Sequence, residues 1–133
     1  MSEENVNKPN RYEPIGDNVS LKREVIVKLA IEGIHQWKDC PIEEVSFLKV
    51  PHRHMFHIKA YKIVSHGDRD VEIIRLKRDI EDNLISNFYC EKSRALKFNN
   101  LSCEHIAEHL LRAFGLSACE VLEDNENGGR VSV

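Results

Sequence analysis

The segment KVPHRHMFHIKAYKIVSH, Lys49 to His66, carries the alternation that decides the fold. From Phe56 onward, β-branched and aromatic residues alternate with polar ones, a pattern typical of a strand with one buried face. Side chains two positions apart leave a strand on the same face, so His52 and His54 should point to one side and His57 to the other. The sequence therefore predicts a strand that presents two imidazoles together at its start.

The segments on either side predict further strands. REVIVKLAIEGIH, residues 23–35, has the β-branched residues and alternation of a first strand, and a long loop containing Pro41 and Pro51 follows it. Gly67 and Asp68 predict a turn after the second strand. DVEIIRL, which comes next, is therefore interpreted as a third strand that forms an antiparallel hairpin with the second.

Two helices are predicted after this hairpin. Apolar residues recur every four positions between about residues 75 and 89. The second helix is marked at both ends, because Ser102 is a natural N-cap and Gly115 a natural terminator. LSACEVLED then predicts a short final strand, whereas NENGGR is interpreted as loop. This order predicts an α+β fold in which helices cover one face of an antiparallel sheet.

Composition limits the classes of protein that are possible. The chain has 133 residues, enough for one domain, and we interpret residues 1–18 as a flexible N-terminal segment and residues 19–133 as that domain. The net charge of -3 argues against a nucleic-acid partner. Without a long apolar run or a signal-like start, we expect a cytoplasmic protein with no membrane partner. Four scattered cysteines favour reduced thiols over a disulfide framework.

The paired histidines raise the question of a metal site. Catalytic zinc sites typically use three protein ligands and keep one position open. His35, at the end of the predicted first strand, is the candidate third donor beside His52 and His54. The alternative is that the pair reflects ordinary polar alternation on a solvent-facing strand, and the spacing alone leaves both interpretations open.

A second histidine pattern lies on the second predicted helix. HIAEH, residues 105–109, matches the HxxEH motif of the inverted zinc peptidases. Ile106 and Leu110 define the buried stripe of this helix, which leaves His105 and His109 on the opposite side. We therefore interpret the two histidines as part of a solvated helix face.

Five segments, taken in order, resemble 6-pyruvoyl tetrahydropterin synthase and its bacterial relative 6-carboxytetrahydropterin synthase. They are AIEGIH, PHRH, DVEIIRLKRDI, LSCEHIA and CEVLED, and the resemblance covers about residues 21–124. It implies the tunnelling fold (T-fold), whose unit is a four-stranded antiparallel sheet with two helices on one face. It also implies a homo-oligomer, a trimer or a hexamer, because the subunits of this family join edge to edge and so cover their open sheet edges.

The resemblance further implies an activity and a metal. The family's three zinc ligands match His35, His52 and His54, with Arg53 in place of a glycine. The implied reaction is that of a lyase acting on dihydroneopterin triphosphate or a related purine-derived substrate, with zinc as cofactor.

Three other positions match substrate-binding residues of the family. Glu123 matches the glutamate that binds the guanidine-like edge of the pterin ring, where two carboxylate oxygens face two N–H donors. Ser102 and Glu104 match a Thr-x-Glu pattern at the start of the second helix, although helix capping explains both equally well.

The acid and base residues of the family are not matched. Leu48 stands where the family has its catalytic cysteine, and YCEKSRALKFNN contains neither member of the family's Asp–His pair. The candidates to replace them are Cys40, the nearest thiol upstream, and His57 and His66, which flank the second strand. Two alternatives stay open: a non-catalytic module that sequesters or senses a pterin or purine-like ligand, and a structural protein whose histidines hold no metal.

Overall fold

The computed structural model describes residue 9 and residues 11–133. Residues 11–22 contain no helix or strand. The rest of the predicted flexible segment, residues 1–8 and residue 10, lies outside the described residues, so its flexibility stays a prediction.

The described residues form six strands and two α-helices. In order they are β1 (Arg23–His35), β2 (His52–Val64), α1 (Ile73–Phe88), β3 (Tyr89–Cys90), β4 (Ala95–Asn99), α2 (Cys103–Phe114), β5 (Ala118–Glu123) and β6 (Asn127–Ser132). A 3-10 segment, Glu43–Lys49, lies in the long loop between β1 and β2. No helix in the described part of the chain is long and apolar enough to cross a membrane.

The strands form one mixed sheet in the order β3-β4-β1-β2-β5-β6. β1 pairs with β2, and β2 with β5, in antiparallel fashion, whereas β4 runs parallel to β1. The α+β prediction is confirmed. The prediction of a four-stranded antiparallel sheet is wrong, because β3 and β4 extend the sheet beyond β1, β6 extends it beyond β5, and β4 pairs with β1 in parallel.

The segment DVEIIRL contains no strand, because its last four residues, 73–76, begin α1. The predicted hairpin is therefore wrong. The carboxylate of Glu72 accepts the N–H groups of Ile74 at 3.1 Å and Arg75 at 2.7 Å and thereby caps α1. Ile73 and Ile74 are about half exposed, so their β-branched side chains mark no buried strand. The helix predicted from about residue 75 is confirmed and begins two residues earlier, at Ile73.

NENGGR contributes to β6, so its interpretation as loop is also wrong. Asp124 and Asn125 form the preceding turn with φ values of 53° and 60°. The N–H of Glu126 closes this turn on the carbonyl oxygen of Glu123 at 2.9 Å. Asp and Asn tolerate positive φ better than most residues, and turns with two such residues suit the twist of antiparallel strands.

Both helices cover the same face of the sheet. The second helix has the predicted ends, with Ser102 as N-cap and Gly115 at φ 59° as C-cap. The inner face of the sheet and the apolar stripes of α1 and α2 share one core. Its largest fully buried side chains are Phe56, Phe98, Ile58, Ile80, Leu84, Leu96, Ile106 and Leu110. This core extends to the end of the sheet at which His35 of β1 and His52 of β2 lie.

Substitution of Gly33 should destabilise this core. A Cβ atom at Gly33 would lie 2.6 Å from the ring of Phe98 and 2.8 Å from that of Phe56, both buried. We expect Gly33→Ala to lower the free energy of unfolding by about 1–3 kcal/mol, as overpacked cores do. Urea denaturation measures the change. Gly16→Ala is the matched control, because a Cβ there meets nothing within 4 Å, and an equal loss in both variants would contradict the packing argument.

Candidate metal centre

Three histidines meet at one end of the sheet, on the face that the helices cover. The antiparallel register places His35 of β1 opposite His52 of β2, and Gly33 opposite His54. One ring nitrogen from each of the three histidines lies within 4.8 Å of the other two. The structure thus brings together the three residues predicted as metal ligands, close enough to bind one ion.

An aromatic ring supports this cluster from the core side. The ring of Phe56 lies edge-on to His35 and His54, with centroid distances of 5.1 Å and 5.9 Å. Phe56 is fully buried. Its packing limits how far the two imidazoles can rotate.

Each imidazole is oriented by a hydrogen bond from its Nδ1 atom. The three bonds join His35 to Leu101 O at 2.9 Å, His52 to Val50 O at 2.8 Å and His54 to Asp124 Oδ2 at 2.7 Å. These oxygens are acceptors, so each Nδ1 carries the proton and each Nε2 of a neutral ring keeps its lone pair. Hydrogen bonds of this kind fix the tautomer and orientation of metal-binding histidines.

Asp124 is a functional candidate that the sequence did not reveal. Its Oδ2 accepts from His54 Nδ1, and its Oδ1 accepts the N–H of Met55 at 3.0 Å. Its own backbone N–H donates to Met55 O at 2.8 Å. The hydrogen bonds from His54 and from the Met55 backbone hold the pKa of the Asp124 carboxyl below its ordinary value. The only sequence signal was its position beside Glu123.

His35 is the most buried of the three histidines, with 8% of its surface exposed. Burial, the largest influence, lowers its pKa from the ordinary value because the charged imidazolium loses solvation. Its Nε2 has no hydrogen-bond partner among the described residues. A buried, neutral imidazole with a free Nε2 is suited to bind a metal ion.

The carboxylate of Glu123 lies directly against the histidines. Its Oε2 is 3.1 Å from His54 Nε2, and its Oε1 is 3.4 Å from His35 Nε2. The register of β2 and β5 places Glu123 opposite Phe56 and so at the same end of the sheet. The residue predicted to bind substrate therefore lies beside the predicted metal ligands.

A cavity of about 490 Å³ opens beside this cluster. Its walls combine the loop after β1, the start of α2, the end of β5 and the start of β6. Residues that line it include His35, Trp37, Leu48, His52, Leu101, Ser102, Cys103, Glu104, His105 and Glu123. None of its lining residues among those described is Lys or Arg.

Ser102 and Glu104 both line the cavity, and each also has a structural role. The Ser102 hydroxyl accepts the N–H of His105 at 3.1 Å, while Ser102 N–H donates to His105 Nδ1 at 3.3 Å, which forms a capping box. The Glu104 side chain lies over Gly129, where a Cβ atom would come within 2.7 Å of its Cγ. A role in binding substrate stays a prediction for both residues.

Cys103 also lines the cavity, although the sequence did not single it out. Burial, and then the charges of Glu123 and Glu104, raise the pKa of its thiol to about 12. In this environment the thiol is protonated at neutral pH. It does not serve there as the thiolate base of the kind the family uses.

The three predicted catalytic residues lie away from the cavity. Cys40 is buried, with its Sγ 3.7 Å from the carbonyl oxygen of Ile42. His57 projects from the opposite face of β2, and His66 lies in the turn after β2, 3.6 Å from Asp70. The structure brings none of the three to the histidine cluster.

The HIAEH segment does not form a second metal site. His105 takes part in the capping box, and His109 Nε2 lies 2.8 Å from Asn83 Oδ1 on α1. His109 is half-buried against Phe88, so the predicted solvated face is confirmed for His105 but wrong for His109. Among the described residues, one group of three side chains is placed to hold a metal ion, and it consists of His35, His52 and His54.

Comparison with known proteins shows a likeness of fold. No family model matches the chain, and no curated protein matches it. The chain is similar to the crystal structure of an uncharacterized protein from Wolinella succinogenes, with a TM-score of 0.54 and 13% sequence identity. The match covers 85% of this chain and 99% of the chain of that protein. At that identity the match concerns the fold alone, and the family expected from the sequence stays a prediction.

Proposed function

We propose that this protein is a zinc-dependent enzyme of the 6-pyruvoyl or 6-carboxytetrahydropterin synthase type. Its substrate would be dihydroneopterin triphosphate or a related purine-derived ring, and its reaction that of a lyase. The observation that carries the proposal is the convergence of three Nδ1-bonded imidazoles and one carboxylate beside a cavity. This arrangement combines a place for a metal with an acceptor for ring N–H groups.

The residues present fit a divalent metal ion. His35, His52 and His54 would hold it through their Nε2 atoms, since their Nδ1 atoms are already bonded. Neutral imidazoles bind several divalent ions, and zinc suits nitrogen ligands in catalytic sites. When bound, the ion supplies a Lewis acid that stabilises negative charge on a developing carbonyl.

The cavity fits the ring of such a substrate better than its phosphates. Glu123 offers two acceptor oxygens to paired N–H donors, and Trp37 and Leu48 provide apolar surface for a flat heterocycle. No basic side chain lines the cavity within the described residues. We therefore place the triphosphate outside this cavity.

One observation favours a second candidate function, a binding module without turnover. The thiol in the cavity, Cys103, has a pKa raised to about 12, and Cys40 lies elsewhere. A site with a metal and a ring-binding carboxylate but no thiolate base would bind a pterin or purine-like ligand without converting it.

Turnover separates the two candidates. We expect zinc-loaded protein to convert dihydroneopterin triphosphate, with products followed by mass spectrometry, and metal-free protein to leave it unchanged. Dihydroneopterin without phosphates, tested in parallel, should still bind, because no Lys or Arg among the described residues lines the cavity to bind the phosphates. Saturable binding without product would favour the binding module. If the zinc-loaded protein neither bound nor converted either compound, the proposal would fail.

We also propose that the protein forms a homo-oligomer, a trimer or a hexamer. The sheet ends in β3 on one side and β6 on the other, and exposed strand edges favour pairing with another chain. Light scattering coupled to size-exclusion chromatography should give three or six times the chain mass of 15.4 kDa. A monomer at micromolar concentration would contradict this part of the proposal.

A further inference from the structure

The contact between Glu123 and the histidines is unfavourable without a cation between them. The Nδ1 atoms of His35 and His54 donate to oxygen acceptors, so their Nε2 atoms face outward as lone pairs when the rings are neutral. The Glu123 oxygens, which are also acceptors, face those Nε2 atoms at 3.4 Å and 3.1 Å. Acceptors held against acceptors at such distances need a proton or a metal ion to bridge them.

The distances match those between ligands that share one metal ion. Zinc lies about 2.0–2.1 Å from an imidazole nitrogen and about 2.0–2.2 Å from a carboxylate oxygen. Two such ligand atoms at a tetrahedral angle are therefore about 3.3–3.5 Å apart. The observed separations of 3.1 Å and 3.4 Å lie close to this range.

We infer that Glu123 is the fourth ligand of the metal in the resting protein. The inference rests on the proposed metal centre and assigns Glu123 a role in addition to binding the substrate ring. The resting site is then a closed set of three histidines and one glutamate. An entering substrate takes the position of the carboxylate on the metal, which frees Glu123 to accept hydrogen bonds from the N–H groups of the ring.

The surroundings of Glu123 allow its carboxylate to lie either on the metal or against the ring of a bound substrate. Its backbone is fixed by the pairing of β5 with β2 and by the turn at Asp124, whose side chain accepts from Met55 N–H and from His54. The side chain itself is 30% exposed and lines the cavity. A fixed backbone with a partly free side chain suits a ligand that binds the metal and leaves it.

Zinc affinity tests whether Glu123 is a ligand. We expect Glu123→Gln to weaken zinc binding by at least about 10-fold, measured by competition with a chromogenic chelator. Glu104→Gln is the matched control, because it removes the same charge from the same cavity without removing a carboxylate that contacts the histidines. An equal loss in both variants would reduce the role of Glu123 to electrostatics and overturn the inference.

Azide binding to the cobalt-substituted protein tests whether the fourth position is closed. We expect azide to change the visible Co²⁺ spectrum of Glu123→Gln at concentrations at least about 10-fold lower than in the wild type, because the amide is a poor ligand and leaves the position accessible. Glu104→Gln should respond like the wild type. The same azide response in all three proteins would mean that Glu123 does not occupy the metal.

These outcomes are independent of turnover. If Glu123→Gln behaves as expected but the zinc-loaded wild type forms no product, the assignment of Glu123 as fourth ligand is supported and the proposed enzymatic activity is contradicted. If product forms while the affinities of Glu123→Gln for azide and zinc equal those of the wild type, the enzymatic activity is supported and the assignment of Glu123 as fourth ligand is contradicted.

Discussion

Replacing His54 with alanine is expected to remove bound zinc, whereas replacing His57 with alanine should leave it in place. Both residues lie on β2, but only His54 projects toward His35 and His52. Loss of one of three imidazoles also exposes Glu123 and Asp124 to each other without the ring between them. We expect the zinc content to fall from about one ion per chain to nearly none.

His57→Ala is the matched control, because it removes the same type of side chain from the same strand. Elemental analysis after exhaustive dialysis gives the zinc content of both variants and the wild type, and circular dichroism shows whether both are folded. Equal zinc content in folded His54→Ala and wild type would show that the metal lies elsewhere.

Asp124→Asn is expected to weaken zinc binding by about 10–100-fold. The wild-type carboxylate accepts one hydrogen bond from His54 Nδ1 at 2.7 Å and another from the N–H of Met55 at 3.0 Å. With Oδ1 still bonded to Met55, the amide N–H₂ of asparagine would face His54 Nδ1. Two donors would then oppose each other, which shifts the imidazole proton to Nε2 and turns the metal-binding atom into a donor.

Asp70→Asn is the control for this prediction. Asp70 accepts from Ser65 in the turn after β2, so the substitution makes the same chemical change away from the histidines. Calorimetric titration of metal-free protein with zinc gives both affinities. An unchanged zinc affinity in Asp124→Asn would contradict the orienting role of the carboxylate.

The cluster of three histidines could be predicted from the sequence because it depends on the alternation of side chains along a strand. His52 and His54 share a face in any regular strand, and His35 ends the neighbouring strand, so an antiparallel pairing in that register brings the three together. The Nδ1 partners could not be predicted in the same way. Leu101 O and Val50 O are backbone atoms of loops, and loop paths leave no pattern in the sequence.

The errors in the fold arose where local pattern and tertiary context disagree. DVEIIRL has β-branched residues, yet Glu72 caps a helix there and Leu76 begins its buried stripe. ALKFN, which forms β4, is too short to be recognised as a strand from its alternation. Its place in the sheet depends on pairing with β1, which is distant in the sequence. These two errors concern the side of the sheet away from β5, whereas the error in NENGGR concerns β6, which pairs with β5.

Diffraction from zinc-loaded crystals, collected on both sides of the zinc absorption edge, tests the metal centre most directly. We expect one anomalous peak per chain about 2.0–2.1 Å from the Nε2 atoms of His35, His52 and His54. A peak held by other side chains, or zinc-loaded crystals with no peak beside these three histidines, would contradict the metal centre.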